Sequence, residues 1–119
     1  MPTKAPFESI FTSREKRNLR GEIFRELELV GMDLTGADLR GARFEKVLLE
    51  RCDLTGADLR GAHFILCVLR EVVMTDTKLG GDNRFYGTTI CDVVGLSEEH
   101  RLAILRDGGI LEHVHASPR

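Results

Sequence analysis

A chain of 119 residues with 42% hydrophobic and 30% charged content has the size and make-up of one folded domain with a modest core. A net charge of -2 and a pI near 6.1 give no whole-chain attraction to nucleic acid or to an anionic membrane, so neither is an expected partner. No apolar run approaches the roughly 18 residues of a spanning helix, residues 1–17 lack the pattern of a secretory leader, and a cytoplasmic location is expected.

The first segment, 1–17, reads as a lead or cap: Phe7, Ile10 and Phe11 follow Pro6 at the spacing of one helical face. From residue 18 the chain repeats itself. MDLTGADLRGARF (32–44) returns as CDLTGADLRGAHF (52–64), twenty residues on. NLRGEIF (18–24) falls in with DLRGARF (38–44) and DLRGAHF (58–64) at the same offset, and KLGGDNRF (78–85) follows with one residue more. Within each twenty lies a period of five, because a large apolar residue recurs at Leu19, Phe24, Leu29, Leu34, Leu39, Phe44 and onward without a gap to Leu79. Two residues before each centre stands a smaller side chain, such as Ala37, Ala42, Val47 or Cys52, and residues two apart on extended chain face the same side.

A period of five fits neither a helix nor a long alternating strand, so the chain steps inward and turns, four times per twenty residues. Gly31, Gly36, Gly41, Gly56 and Gly61 fall two after the centres, where a type II turn needs φ > 0. Glu26, Lys46, Arg51, Leu66 and Glu71 fill the same place elsewhere, and a second turn geometry without positive φ is expected there. The slip at Gly80-Gly81-Asp82-Asn83 reads as a one-residue bulge.

The runs Ala37-Asp38-Leu39 and Ala57-Asp58-Leu59 carry the motif A-(D/N)-L-x-x, and over about 18–96 the chain resembles the pentapeptide-repeat family. The resemblance implies an all-β solenoid: a short right-handed quadrilateral β-helix of about four coils of twenty residues. Stacking every twentieth residue then predicts interior columns Leu19/39/59/79, Phe24/44/64/85, Leu29/49/69 with Ile90, and Leu34/54 with Met74. Residues 97–119 follow as a capping helix and an apolar tail. Ser97, Glu98-Glu99, Leu102, Ile104, Leu105, Arg106 and Gly108-Gly109 supply the N-cap, acidic first turn, apolar face, basic last turn and stop of an α-helix over 97–107. Ile110, Leu111 and Val114 then either pack back or meet a second copy, and the family's habit of dimerising through C-terminal ends makes them candidate dimer contacts.

No catalytic constellation, metal site or cofactor motif emerges, and an enzyme is not expected. His63, His100, His113 and His115 do not converge, and Cys52, Cys67 and Cys91 form no C-x-x-C pair. Cys52 and Cys67 occupy interior positions; Cys91 faces outward and is the better candidate for a reactive thiol. The candidate interaction face is the outward lattice of Arg20, Arg40 and Arg60 beside Asp38 and Asp58, which reads first as solvated ion pairs and second as an anion site. The expected function is a protein–protein interaction or scaffold module acting through flat β-helix faces. The alternative is that of the quinolone-resistance members, DNA-mimicking binders of a type II topoisomerase. Against it stand 13 Asp/Glu and 10 Lys/Arg over 18–96, a balance of only -3, and a rod of about 20 Å at 4.8 Å per coil.

Overall fold

The computed structural model describes residues 18–112; the cap expected around Phe7, Ile10 and Phe11 lies outside them. Eight three-residue strands and one helix follow in order: β1 (Ile23–Arg25), β2 (Glu28–Val30), β3 (Arg43–Glu45), β4 (Leu48–Glu50), β5 (His63–Ile65), β6 (Val68–Arg70), β7 (Thr89–Cys91), α1 (Glu98–Arg106) and β8 (Ile110–Glu112). All pairing is parallel and joins each coil to the next, which makes the chain a β-solenoid of about four coils. Four ladders run along it. The first is a line of single bridges, Asn18, Asp38, Asp58 and Lys78; the second is β1-β3-β5, prolonged by His63 with Arg84; the third is β2-β4-β6-β7-β8; and the fourth joins Asp33, Asp53, Val73 and Val94.

The interior follows from the five-residue period. From β1 to β7 each strand buries its central residue and turns its neighbours outward, and Leu111 at the centre of β8 is partly buried. Phe24, Phe44, Phe64 and Phe85 stack at ring-centroid spacings of 4.9, 4.7 and 5.3 Å, set by the distance between coils. The leucine columns are likewise buried, with one exception: Leu79 is only partly covered. No strand follows it on the first ladder, because the chain leaves the solenoid there to form α1.

The turns correct one expectation. Glu26, Lys46, Arg51, Leu66 and Glu71 all have positive φ, between 52° and 56°, close to the 67–73° of the glycines at the equivalent places in the first three coils. The reason is stacking. The turn N–H must donate to the coil above, as Lys46 does to the Ile65 carbonyl at 2.9 Å, so a left-handed residue is required whatever its side chain. Two turn geometries do exist, but they divide by ladder. Turns into and out of the first ladder close an i to i+3 hydrogen bond, Ala37 to Leu34 at 3.0 Å and Ala42 to Leu39 at 3.1 Å, and the residue so drawn in is alanine in the second and third coils. The turns on either side of the third ladder are open in those coils and admit Val47, Cys52, Cys67 and Val72 in the same role.

The register slip is closed by Asn83. Its amide donates to the carbonyls of Leu59 (2.7 Å) and Ala62 (3.0 Å), and its oxygen accepts the Gly80 N–H at 2.6 Å. A bulge with its polar groups met internally is therefore observed. In α1, Ser97 accepts the His100 N–H at 3.1 Å, and Gly109 donates to Ile104 at 2.8 Å to end the helix. Only Ile104 of the helix is fully buried; Leu102 and Leu105 stay exposed. The apolar tail packs back, at least in part: Ile110–Glu112 returns as the last strand of the third ladder, with Leu111 over Ile90, while Val114 lies outside the described residues.

Candidate functional site

The first ladder brings together all five residues of the predicted face. Arg40 donates from Nε and Nη2 to the two carboxylate oxygens of Asp38, both at 2.8 Å, and Arg60 does the same to Asp58 at 2.8 and 2.6 Å. Between coils, Arg20 approaches Asp38 at 3.9 Å and Arg40 approaches Asp58 at 3.8 Å. The Arg60 hydrogen bonds, with the nearby charges of Arg60 and Arg40, pull the Asp58 carboxyl down to about 2, and Arg40 holds Asp38 below its usual value in the same way. Each carboxylate takes a two-pronged guanidinium contact from its own strand, so Arg40 and Arg60 are each paired, while Arg20 has only its longer approach to Asp38 and leaves the five residues, three minus two, at a balance of +1. The ladder ends at Lys78 and Gly80, where no arginine follows.

The second ladder carries a similar pairing that the sequence reading did not single out. Glu45 accepts from Arg25 Nε at 2.8 Å and from Arg43 Nη2 at 3.1 Å, which lowers its pKa. His63 points outward from the same ladder, with Nε2 3.1 Å from the Asp82 carbonyl oxygen.

The third ladder supplies what sequence reasoning missed. Its outward column just before the centres is Glu28, Leu48, Val68, Thr89 and Ile110, apolar at three of the five places, with Val30 beside it and Leu66 at the adjoining turn. Val30, Leu66, Val68 and Ile110 are 36–49% exposed. The next column holds charge: Glu50 lies 3.9 Å from Arg70 and 3.7 Å from Arg51, and Arg51 lies 3.8 Å from Glu71. The twenty-residue offset that revealed the core would also have aligned Leu48 with Val68, had it been applied to outward positions.

Cys52 and Cys67 donate to the carbonyls of Leu29 (3.2 Å) and Phe44 (3.1 Å), and burial raises both thiols. Cys91 is half-buried and is also raised, by desolvation and by the carboxylates of Asp92 and Glu112, which together outweigh the nearby charge of Arg70 and disfavour the reactive thiolate. Among the described residues no group of three His, Cys, Asp or Glu side chains is placed to hold a metal ion, and no helix is long and apolar enough to cross a membrane. His113 and His115 lie outside the described residues.

The family model for pentapeptide repeats matches residues 18–51 and 48–81, with eight copies of the repeat. No curated protein matches the sequence. Among solved structures, a pentapeptide repeat protein from the thylakoid lumen of Arabidopsis thaliana is 26% identical over 78% of this chain and 78% of its own, with a TM-score of 0.31, a likeness too slight to carry argument. The repeats that the family model matches are those whose centres fill the solenoid interior, and the chain belongs to the pentapeptide-repeat family.

Proposed function

We propose that the chain is a non-enzymatic protein–protein interaction module of the cytoplasm, and that it binds through the face of its third ladder. The observation that carries this reading is the apolar part of one outward column, Leu48, Val68 and Ile110 among Glu28 and Thr89, extended by Leu66. Side chains that a solvated sheet would make polar are here aligned and partly exposed across successive coils. The first ladder, with its lattice of Arg20, Arg40, Arg60, Asp38 and Asp58, forms a separate face of paired charges, three minus two, a balance of +1. Two copies meet at the C-terminal end, where Leu105 and Ile110 are exposed.

A second reading, imitation of duplex DNA toward a type II topoisomerase, draws support from charge distribution. Over 18–96 the third and fourth ladders with the turns that follow them carry Glu28, Asp33, Glu50, Asp53, Glu71, Asp76 and Asp92 against Arg51 and Arg70, seven minus two, a local balance of -5.

Capture from the native host separates these readings. Wild type is compared with Val68→Asp and with Arg40→Glu/Arg60→Glu, each verified as folded by circular dichroism. A partner retained by the arginine variant and lost by Val68→Asp supports the apolar face; loss only in the arginine variant overturns it. Inhibition of DNA supercoiling by micromolar protein favours the mimic.

A further inference from the structure

We propose that the first ladder ends in a slot that receives a short extended segment of another protein, added as the strand this ladder lacks above Leu79. The proposal rests on the reading of the chain as a protein-binding module but places a second site away from the third ladder. After the fourth coil, the second ladder is continued by Asp107 and Gly108, whose carbonyls accept the N–H groups of Phe85 and Gly87, and the third is continued by β8. Among the described residues the first ladder has no such continuation, because α1 occupies that stretch of chain.

Among these residues its edge is therefore unpaired. In the coils below, the central N–H donates upward, as Leu59 does to Lys78 (2.8 Å), the turn N–H does likewise, as Gly61 does to Gly80 (3.0 Å), and the carbonyl two before the centre accepts, as Ala57 does from Lys78 (3.0 Å). The equivalent groups of the fourth coil are the N–H of Leu79, the N–H of Gly81 and the carbonyl of Thr77, and among the described residues none of the three has a partner. An edge of this kind, in register and with matched donors and acceptors, is the template used in strand addition.

Space and chemistry agree with the edge. A cleft of about 450 Å3 lies between this edge and α1, floored by Leu79 and walled by Leu102 and Ala103. Leu79 is left partly uncovered, the only centre of its column so placed, and an incoming apolar side chain would complete the stack Leu19, Leu39, Leu59, Leu79. Gly80 stands where Arg20, Arg40 and Arg60 project from the lower coils, so no side chain projects from that place in the fourth coil. The ionic rim carries Asp82, Glu99 and Asp107 against Arg106 and against Arg84, which lies 3.9 Å from Asp82, three minus two, a balance of -1. The segment that fits is extended, has one apolar side chain facing inward and carries Lys or Arg outside it.

The probe is a fluorescein-labelled peptide, acetyl-Thr-Gly-Ala-Lys-Leu-Arg-Gly-amide, which repeats the pattern of the third coil with Lys in place of Asp. Its Lys N–H meets the Thr77 carbonyl, its Lys carbonyl accepts from Leu79, its Arg carbonyl accepts from Gly81, and its Leu covers Leu79. Titrated with the full chain, it is expected to give saturable anisotropy and to slow amide exchange at Leu79 and Gly81. Methylation of the peptide's Lys nitrogen is expected to weaken binding about tenfold or more, the loss of one hydrogen bond with an added clash. Asp82→Lys/Glu99→Lys, both exposed positions, is expected to weaken it similarly, and Val68→Asp to leave it unchanged.

Absence of binding, equal affinity of the methylated peptide, or binding without protection at Leu79 and Gly81 overturns the proposal. So does protection of those two amides before any peptide is added, which would mean that another part of the chain or a second copy fills the slot. Loss of the native partner in Val68→Asp bears on the third-ladder reading alone.

Discussion

Replacing Phe44 by alanine tests the stacked interior at its middle. The ring is 1% exposed and lies between Phe24 at 4.9 Å and Phe64 at 4.7 Å, with backbones held in parallel register on both sides. Truncation loses the transfer energy of a buried phenyl group and leaves a cavity, together about 3–5 kcal/mol. Two ring contacts worth about 0.5–1.5 kcal/mol each fall within that sum and place the expectation in its upper half. Collapse of neighbours into the space is restricted, because the floor and the roof of the cavity are hydrogen-bonded coils. Urea melts followed by circular dichroism suit a protein without tryptophan. With a slope of about 2 kcal/mol/M, a loss of 4 kcal/mol moves the midpoint by about 2 M. A loss below about 1 kcal/mol would refute the stacked core, since no well-packed phenylalanine is removed so cheaply. A change in slope as well would mean that the coils unfold in separate steps.

Three further outcomes follow from the same geometry. The Asp58 carboxyl titrates near 2 in the folded chain against about 3.9 unfolded, so its contribution is fully present above about pH 4 and is lost as pH falls through 2. As a partly exposed ion pair it is worth about 1 kcal/mol or less, and Asp58→Asn is expected to remove that part of the acid sensitivity in melts between pH 5 and pH 2. Lys46→Gly relieves a left-handed residue at φ 55° and should raise stability by about 0.5–1 kcal/mol, a left-handed cost of about 1–2 kcal/mol less the entropy of glycine; a loss in thermal melts would contradict the turn geometry. Asn83→Ala strips the bulge of its donors to Leu59 and Ala62 and of its acceptor for Gly80, costing about 1–3 kcal/mol, with faster amide exchange at Gly80 as the local readout.

The interior was legible because its signal is periodic: Phe24, Phe44 and Phe64 recur every twenty residues, and the parallel pairing places them over one another. The helix was legible from Ser97, the acidic pair and the glycine stop, although its two exposed leucines show that an apolar pattern alone does not say which side is covered. The turns were misread because residue preference was weighed one position at a time, whereas φ at Lys46 or Leu66 is set by hydrogen bonding to the next coil. The first-ladder lattice was visible as Asp and Arg two apart, and its ion pairing with it, but the two-pronged contact of each guanidinium with the carboxylate of its own strand depends on side-chain geometry. The apolar column of the third ladder was hidden by Leu48 and Val68 sitting next to centres that are apolar for another reason. The slot above Leu79 could not be seen at all, since it depends on where α1 leaves the ladder and where β8 rejoins.

The central claim is that partners bind on the third ladder, and a photo-crosslinking residue placed at 68 or, in a separate variant, at 40 addresses it directly. The account predicts one dominant adduct with a host protein from position 68 and none from position 40. Adducts from position 40 alone, or equal adducts from both, would contradict it.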